Sequence, residues 1–178
     1  MSYRFVAKAV ERGYGCVIDT DVTVYQVDRD NQLVPTAKIM DSSDPADHRV
    51  TKITCGGKTL TFSAAYDGPI DPHFIWHFRN EQYCSEVSLH CFAMISQHYL
   101  CYENQYFLAK RETNDNSRIT VYNAFPVPTA DGMQPSVLAR IVCSEMESGE
   151  YTYEIQFVSK VPGALFMAIL ALPFALYW

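Results

Sequence analysis

Two histidines, His73 and His77, have the spacing of a metal-binding pair. On a helix, the HxxxH pattern places both imidazoles on one face, where they could bind one zinc ion. In a strand, the two residues also share a face but lie about 13 Å apart, which is too far for one ion. A metalloprotease motif has a glutamate directly after its first histidine; this chain has Phe74 there, which excludes that class of enzyme.

Cys84, His90 and Cys91 could complete a zinc site if the fold brought them near the histidine pair. The residues around the pair are rich in aromatic side chains, which favour a strand. We therefore expect imidazoles that are satisfied within a sheet, and we predict no metal site. A zinc protein or enzyme built on His73, His77 and Cys84 is the minor alternative.

Nucleophilic and nucleotide chemistry have no recognisable motif in this chain. Six cysteines and five histidines permit many Cys–His pairs, but no oxyanion-forming loop precedes any cysteine. GxSxG, P-loop and GxGxxG motifs are all missing, and Gly13-Tyr14-Gly15 is a single GxG pattern that predicts a turn. We therefore expect a protein that is not an enzyme, has no catalytic residue and needs no cofactor.

Two acidic pairs lie near a predicted turn, Asp19 with Asp21 and Asp28 with Asp30. A calcium-binding loop requires several more oxygen ligands at fixed spacing, and the sequence lacks them. We expect these carboxylates to be solvated turn residues.

The charge balance excludes another class of function. The chain has 178 residues, with 14 Lys and Arg against 20 Asp and Glu, which gives a net charge of −6. A nucleic-acid-binding protein needs a basic face to contact phosphates, and none stands out, so we expect no nucleic-acid partner. The apolar content of 48% and the aromatic content of 13% predict a packed, β-rich core in a single domain, residues 1–178.

The six cysteines are predicted to be free thiols. Met1–Lys8 contains no apolar signal-peptide core, so we expect a cytoplasmic protein in a reducing compartment. No CxxC pair is present, and the cysteines lie in strand-like stretches, where a buried thiol behaves as a small hydrophobic residue. They are Cys16, Cys55, Cys84, Cys91, Cys101 and Cys143.

A series of hairpins is the dominant pattern. Thr23–Val27 alternates apolar and polar residues, a polar turn follows, and Leu33–Ile39 returns. Pro35 cannot donate a ladder hydrogen bond, so we expect it on an edge or before the returning strand begins. The next hairpin has the sharpest turn, Cys55-Gly56-Gly57-Lys58, whose glycines supply the positive φ that a tight turn requires.

The remaining chain repeats short apolar runs between turn-forming residues, which predicts ten to twelve strands and an antiparallel sandwich or barrel. Thr113–Ser117 is expected to be a polar turn and Pro126–Pro135 a surface loop. A helix is the alternative to a strand for Val87–Ile95, since periodicity does not separate the two for a short apolar run. Elsewhere no helix is predicted before residue 160. The predicted strands after the first hairpin are Arg49–Thr54, Thr59–Tyr66, His73–Phe78, Val87–Ile95, Tyr99–Tyr102, Gln105–Lys110, Arg118–Phe125, Val137–Met146 and Tyr151–Val158.

Residues 161–178 carry no charged side chain and are rich in the helix formers Ala, Leu and Met. Pro162 suits a first helical turn, and Pro173 is expected to end the regular helix near Leu172. A helix that is apolar on all sides has to be buried in a protein or in a bilayer. The favoured interpretation is a helix that fills a closed antiparallel β-barrel of about twelve strands, because such a barrel is wider than its own side chains can fill.

The alternative is a tail-anchored membrane protein, with residues 161–178 as the anchor of a cytosolic β-sandwich. Eighteen residues at about 1.5 Å per residue reach about 27 Å, close to the roughly 30 Å hydrocarbon core of a bilayer. The flank argues against an anchor, because residues 145–160 carry four glutamates and one lysine where cytosolic flanks usually have an excess of Lys and Arg.

The pattern of about twelve antiparallel strands and one hydrophobic C-terminal helix resembles the tubby C-terminal-like superfamily. This superfamily includes the LURP-one-related proteins and the phospholipid scramblases. The resemblance covers nearly the whole chain and contains no short diagnostic motif. It is carried by the hairpins Thr23–Ile39, Tyr106–Phe125 and Val137–Val158, with Tyr151–Ile155 leading into residues 161–178.

The resemblance implies a binding or scaffold protein without catalysis that engages lipid, a membrane surface or a protein ligand. Tubby proteins bind phosphoinositides in a basic pocket, whereas Lys52, Lys58, Lys110 and Arg111 are scattered in this chain. The cysteine-rich segment of the scramblases is also missing. The compact length is closest to the LURP-one-related type, and the acidic balance argues against simple electrostatic attraction to anionic lipids.

Overall fold

The computed structural model describes residues 1–12, 15–18, 21–43, 49–66, 73–80, 82, 84–92, 97–112, 115–123, 127–130 and 132–176. These residues form fifteen strands and one helix. The strands are β1 (Ser2–Arg12), β2 (Gly15–Ile18), β3 (Val22–Val27), β4 (Leu33–Ser43), β5 (Arg49–Cys55), β6 (Lys58–Tyr66), β7 (His73–Arg79), β8 (Ser85–Phe92), β9 (Gln97–Tyr102), β10 (Gln105–Glu112), β11 (Asp115–Tyr122), β12 (Val127–Thr129), β13 (Gly132–Gln134), β14 (Val137–Glu145) and β15 (Glu150–Phe157). The helix is α1 (Gly163–Leu176).

Twelve of the strands form a closed antiparallel barrel, as the sequence predicts. The order around the ring is β1, β3, β4, β5, β6, β7, β8, β9, β10, β11, β14, β15, and β15 pairs with β1 to close it. The closing pair runs from Ser2 opposite Gln156 to Lys8 opposite Glu150. Closure leaves no long unpaired edge in the ring, which protects a chain of this β content from edge-to-edge association. The β-sandwich of the alternative interpretation is therefore wrong.

The first two hairpins form as predicted, and their turn chemistry explains their register. Gly56 and Gly57 have φ of 56° and 77°, the left-handed conformation that a two-residue hairpin turn requires. Pro35 lies within β4, opposite Tyr25 of β3. On its other side β4 has no described partner at this point, because its pairing with β5 begins only at Ala37. The missing N–H of Pro35 therefore falls at a local edge, and the register shifts by one residue beside it, between Val24 and Tyr25.

Two predicted turns differ from the structure. The segment Pro126–Pro135, expected to be a loop, contains the small hairpin of β12 and β13. Of the expected turn Thr113–Ser117, the last three residues belong to β11, and Asp115 pairs with Glu112 at a register shift in β10. Thr113 and Asn114 lie outside the described residues. The shift leaves three residues of β11, Asn116, Ser117 and Arg118, without a partner on β10, and this irregularity lets the polar segment continue the ladder.

The C-terminal helix lies inside the barrel over its described residues, Gly163–Leu176, which confirms the favoured interpretation of a helix that fills the barrel. The backbone N–H of Phe166 bonds the carbonyl of Pro162 at 2.8 Å in the first turn. Pro173 does not end the helix near Leu172, since the helix continues to Leu176. The dense packing around Pro173, which is buried, keeps the helix regular where local preference alone favours a stop. Among the described residues, no helix has the length and hydropathy needed to cross a membrane.

The barrel has two distinct ends. At the entry end, β15 finishes at Phe157 and α1 begins at Gly163. Antiparallel neighbours alternate direction, so every second turn of the ring also lies at this end. The tight turns there are Asp28–Gln32, Gly56–Gly57 and Glu103–Asn104. At the exit end, α1 finishes beside the last residues of β10.

Candidate functional site

The lumen of the barrel is filled by the helix. Ala168–Leu172 have no exposed surface, and Phe166 packs edge-on against Tyr3 with ring centroids 5.2 Å apart. Deeper in the lumen, Phe174 stacks on Phe5 at 5.6 Å. Because α1 occupies the lumen along its described length, ligand contacts are expected on the outer wall and at the ends of the barrel.

The exit end of the lumen contains a group of polar side chains that the sequence analysis did not bring together. Arg111 Nη2 donates a hydrogen bond to the carbonyl oxygen of Leu176, in the last turn of α1. A cation there is favourable, because the C-terminus of a helix carries partial negative charge. Cys91 on β8 lies opposite His98 on β9, and both share the inward face of their strands with buried leucines.

The ionisation of this group argues against nucleophilic catalysis. Burial raises the pKa of the Cys91 thiol to about 12, although the charge of Arg111 acts in the opposite direction. Burial, together with the charge of Arg111, lowers the pKa of His98 to about 4. At neutral pH the thiol is therefore protonated and the imidazole is neutral, whereas a catalytic cysteine needs a thiolate. We interpret this group as structural support for the end of the helix.

We expect the buried imidazole of His98 to make stability depend on pH. The unfolded chain takes up a proton on an ordinary histidine near pH 6.5, whereas folded His98 takes it up only near pH 4. The free energy of unfolding should therefore fall as the pH is lowered from 6.5 to 4, by about 2 kcal/mol after allowance for solvent screening. Urea titrations at several pH values measure this slope. In His98→Leu the slope should be less than half that of wild type, and a His98→Leu slope equal to wild type would contradict the assignment.

A second group of polar side chains lies on the outer wall of β7, β8 and β9. His77, Ser88 and Cys101 form one cross-strand row, because His77 lies opposite Ser88 and Ser88 lies opposite Cys101. Ser88 Oγ is 3.0 Å from His90 Nε2, two residues along the same face. Burial and the charge of Arg79 lower the pKa of His77, so this imidazole is also neutral at neutral pH. These side chains are half-buried although they face outwards.

An open cleft of about 480 Å³ lies at the entry end of this wall. The carboxylate of Glu86, whose side chain is 20% exposed, lies with Oε2 2.6 Å from Lys58 Nζ. The pKa of Tyr102 is raised by burial, by a hydrogen bond with Glu103 and by the charges of Glu103 and Glu86. Two carboxylates, those of Glu86 and Glu103, therefore line the cleft. Its lining consists of Glu86, Ser88, Cys101, Tyr102, Glu103 and Asn104.

The residues of the zinc alternative do not converge. His73 begins β7 and His77 lies four positions further along it, about 13 Å away, with Phe92 and Ser88 opposite them. Cys84 precedes β8 in an exposed position, and its thiol donates to the carbonyl of Gln82 at 3.9 Å. The side chain of His73 lies outside the described residues.

The other two candidate ligands also separate. His90 and Cys91 are consecutive strand residues, so His90 faces the outer wall and Cys91 faces the lumen. Among the side chains that the structure describes, no three His, Cys, Asp or Glu residues are grouped so that they could hold a metal ion.

The thiols are free wherever the structure describes them, as predicted. Their burial varies more than expected, since Cys143 is buried, Cys84 is exposed, and Cys55, Cys91 and Cys101 are half-buried. The side chain of Cys16 lies outside the described residues.

The acidic turn residues behave as the sequence predicts where they are described. Asp28 Oδ1 accepts hydrogen bonds from the backbone N–H groups of Asp30 and Gln32, at 2.9 and 2.7 Å. This pattern is that of an Asx turn, in which the carboxylate organises the hairpin. Asp21 has a φ of 64°, and Asp19, like Gly13 and Tyr14, lies outside the described residues.

The four basic residues Lys52, Lys58, Lys110 and Arg111 do not form one pocket. Lys52 is on β5 and Lys110 on β10, five strands apart around the ring. Lys58 is paired with Glu86, and Arg111 faces the lumen.

Four exposed aliphatic side chains lie on strand ends that follow one another around the entry end, on the side of the ring opposite the cleft. Leu33 and Val34 begin β4, Met1 precedes β1, and Val158 follows β15, and all four are exposed. Their strand ends follow one another around the ring in the order β4, β3, β1, β15. Val27 of β3 lies opposite Leu33 on one side and opposite Ser2 on the other. Met1 and Phe157 exchange backbone hydrogen bonds. We call Met1, Leu33, Val34 and Val158 the apolar rim. Met133, also exposed, lies in the connection between β11 and β14 at the same end.

Sequence reasoning missed both the cleft and the apolar rim. Single exposed aliphatic residues and scattered Ser, His and Glu residues are ordinary in any sequence. The sequence indicated only which residues lie at the ends of predicted strands. Which of those ends are adjacent depends on the order of the strands around the ring.

Comparisons with known proteins leave the chain without an assigned relative. No family model, no curated protein and no solved structure matches this chain.

Proposed function

We propose that this chain is a non-catalytic, tubby-like binding protein of the cytoplasm that docks onto a lipid membrane surface through the apolar rim. The observation that carries the proposal is the cluster of four exposed aliphatic side chains on neighbouring strands at the entry end. The pattern resemblance to tubby-like proteins agrees with it. The proposal includes neither a metal, a cofactor nor a nucleic-acid partner.

The location of the apolar rim suits shallow insertion of its side chains into the surface of a lipid membrane. The rim consists of strand ends next to the Asp28–Gln32 turn, so the barrel can approach a flat surface end-on. Each rim side chain is about half exposed or more, and burying the exposed part contributes roughly 1 kcal/mol. Four such residues together contribute roughly 4 kcal/mol, so we expect weak and reversible binding, because the loss of translational and rotational freedom opposes this gain.

Charge is expected to contribute little. Lys160 and Arg29 are exposed at the same end, but Asp30 is exposed beside them and the whole chain has a net charge of −6. Binding should therefore depend on apolar contact, with weak dependence on salt and on the fraction of anionic lipid. This behaviour differs from that of a basic phosphoinositide pocket, which Lys52, Lys58, Lys110 and Arg111 do not form.

Flotation with vesicles tests the proposal. Wild type should float with phosphatidylcholine vesicles, and addition of phosphatidylserine should change the bound fraction only slightly. Leu33→Gln combined with Val158→Gln should weaken binding about tenfold or more, because two apolar contacts are lost. Met40→Gln is the matched control, since Met40 and Leu33 are both 48% exposed on β4 but Met40 lies seven residues further along the strand, away from the rim.

Two outcomes would reject membrane docking. One is wild type that stays with the soluble fraction for every vesicle composition, which would leave the rim as a protein interface. The other is an equal loss of binding in Met40→Gln, which would mean that general surface hydrophobicity causes the effect.

A further inference from the structure

We propose that this chain associates with a second copy of itself, in a contact between the end of β14 in one copy and the outer wall of β4 and β5 in the other. We call the first surface the acidic turn, which consists of Glu145, Met146 and Glu147. The second surface is the basic wall, which consists of Lys38, Met40 and Lys52. Neither surface includes a residue of the apolar rim, so this contact does not depend on the proposed membrane docking.

The basic wall presents two lysines around one exposed methionine. Met40 on β4 lies opposite Lys52 on β5, and Lys38 is two residues before Met40 on the same face of the strand. Both lysines are exposed, and Met40 is 48% exposed. The charged side chains that the structure describes in β4–β7 are all basic. Asp21, a carboxylate just before β3, pairs with neither lysine in the described part of the chain.

The acidic turn presents the opposite charge around a second methionine. Glu145, Met146 and Glu147 are consecutive and exposed, and neither glutamate makes an ion pair with another described residue. The backbone N–H of Met146 donates to the carbonyl of Glu150 at 2.7 Å, and that of Gly149 donates to the carbonyl of Met146 at 2.9 Å. These bonds hold the turn in one conformation, which reduces the entropy that is lost on docking.

The two surfaces are complementary in both charge and apolar content. Met40 is 48% exposed and Met146 is 44% exposed, and each has two like charges around it, positive on the wall and negative on the turn. A contact that places the two methionines together removes apolar surface from water and brings the glutamates beside the lysines. A second copy of this chain therefore supplies the partner that each surface fits.

One copy cannot join its own two surfaces. β1 and β3 separate β15 from β4 around the ring, and the acidic turn lies at the exit end, whereas the basic wall faces outwards from the side of the barrel. The contact is therefore between two different surfaces of two copies. Such a contact repeats, so it produces a ring or an open chain of copies and does not stop at a dimer.

The contact is expected to be weak. A turn on two strands buries a small area, which is typical of a transient interface, and charge complementarity then determines the orientation of the partners. The net charge of −6 on each copy opposes association. At about 0.15 M salt this repulsion is screened beyond about 8 Å, whereas charges in direct contact are screened less.

Sedimentation velocity of the full chain tests the proposal. Wild type should sediment faster as its concentration rises to about 1 mM, and species larger than a dimer should form. The wall variant is Lys38→Gln with Lys52→Gln, and the turn variant is Glu145→Gln with Glu147→Gln. Each should weaken association about tenfold. The turn variant separates specific from non-specific association, because loss of negative charge from an acidic protein strengthens non-specific association.

A mixture of the two variants tests the pairing of the surfaces. The wall variant keeps its acidic turn and the turn variant keeps its basic wall, so the mixture should form a 1:1 complex that does not grow. Lys110→Gln and Glu103→Gln are controls for charge, since both residues are exposed outside the two surfaces. Leu33→Gln combined with Val158→Gln is the control for the apolar rim. All three control proteins should associate like wild type.

Four results would overturn the proposal. They are a wild type that stays monomeric up to about 1 mM, a turn variant that associates as strongly as wild type, a mixture without a complex, and a control that weakens association as much as the wall variant does. A loss of association in the rim control would assign the contact between copies to the apolar rim.

Discussion

Deletion of Ala164–Trp178 is expected to abolish folding of the barrel. The deletion removes seven large side chains that the structure buries: Leu165, Met167, Ile169, Leu170, Leu172, Phe174 and Leu176. Full burial of such a side chain contributes about 1.5–3 kcal/mol, so together they contribute roughly 10–20 kcal/mol. A domain of this size has a total stability of about 5–15 kcal/mol. The truncated chain should therefore expose its apolar inner wall and aggregate.

Size-exclusion chromatography and urea unfolding of the truncated chain measure this effect. A volume-conserving variant, Leu170→Met combined with Leu172→Met, is the control and should remain monomeric, with a loss of less than about 1.5 kcal/mol per substitution. A truncated protein that is monomeric and unfolds cooperatively would contradict the assignment of α1 as the core of the barrel.

Leu170→Asp is expected to have the second-largest effect. Leu170 has no exposed surface in the middle of α1, so the introduced carboxylate has to lose its hydration without gaining a partner. We expect a loss of about 4 kcal/mol or more in the free energy of unfolding. Leu33→Asp is the matched control, since Leu33 is 48% exposed, and it should change stability by less than about 0.5 kcal/mol.

The pH dependence of this variant checks the cause of its instability. Burial raises the pKa of an introduced carboxylate, so the folded protein takes up its proton at a higher pH than the unfolded chain. The stability deficit relative to wild type should therefore shrink as the pH falls from 7 to 5. A deficit that is constant over this range would indicate that the lost volume of the leucine, and not the buried charge, causes the effect.

The barrel could be predicted because its main signals are local. Alternation in Thr23–Val27, the glycine pair Gly56-Gly57 and the repeated polar turns each specify a short piece of antiparallel sheet. The helix was also readable, since an uncharged run of eighteen residues has to be buried. The hairpin of β12 and β13 was missed because three-residue strands give no periodicity to detect. The continuation of α1 past Pro173 was missed because packing overrides local preference there.

The candidate sites could not be predicted in the same way. Glu86 is on β8, Tyr102 ends β9 and Glu103 follows it in the β9–β10 turn, while Lys58 pairs with Glu86 from β6, two strands away. The HxxxH pair was the most suggestive motif in the sequence, yet the strand geometry of β7 separates its two histidines. Arg111 was only one of four scattered basic residues in the sequence, and in the fold it donates a hydrogen bond to the carbonyl of Leu176 at the end of the helix. Each of these relationships depends on register and on which face of a strand is turned inwards.

The amino-acid sequence by itself determined that this chain makes hairpins and buries its last helix, because turn residues, period-two alternation and the absence of charge act over a few residues. The tertiary structure alone decided that β1 pairs with β15 to close the ring, that α1 enters that ring, and which side chains meet at its ends. Ring closure joins residues about 150 positions apart, such as Ser2 and Gln156. The free energy of such a contact depends on the complete strand order, and no local pattern encodes that order.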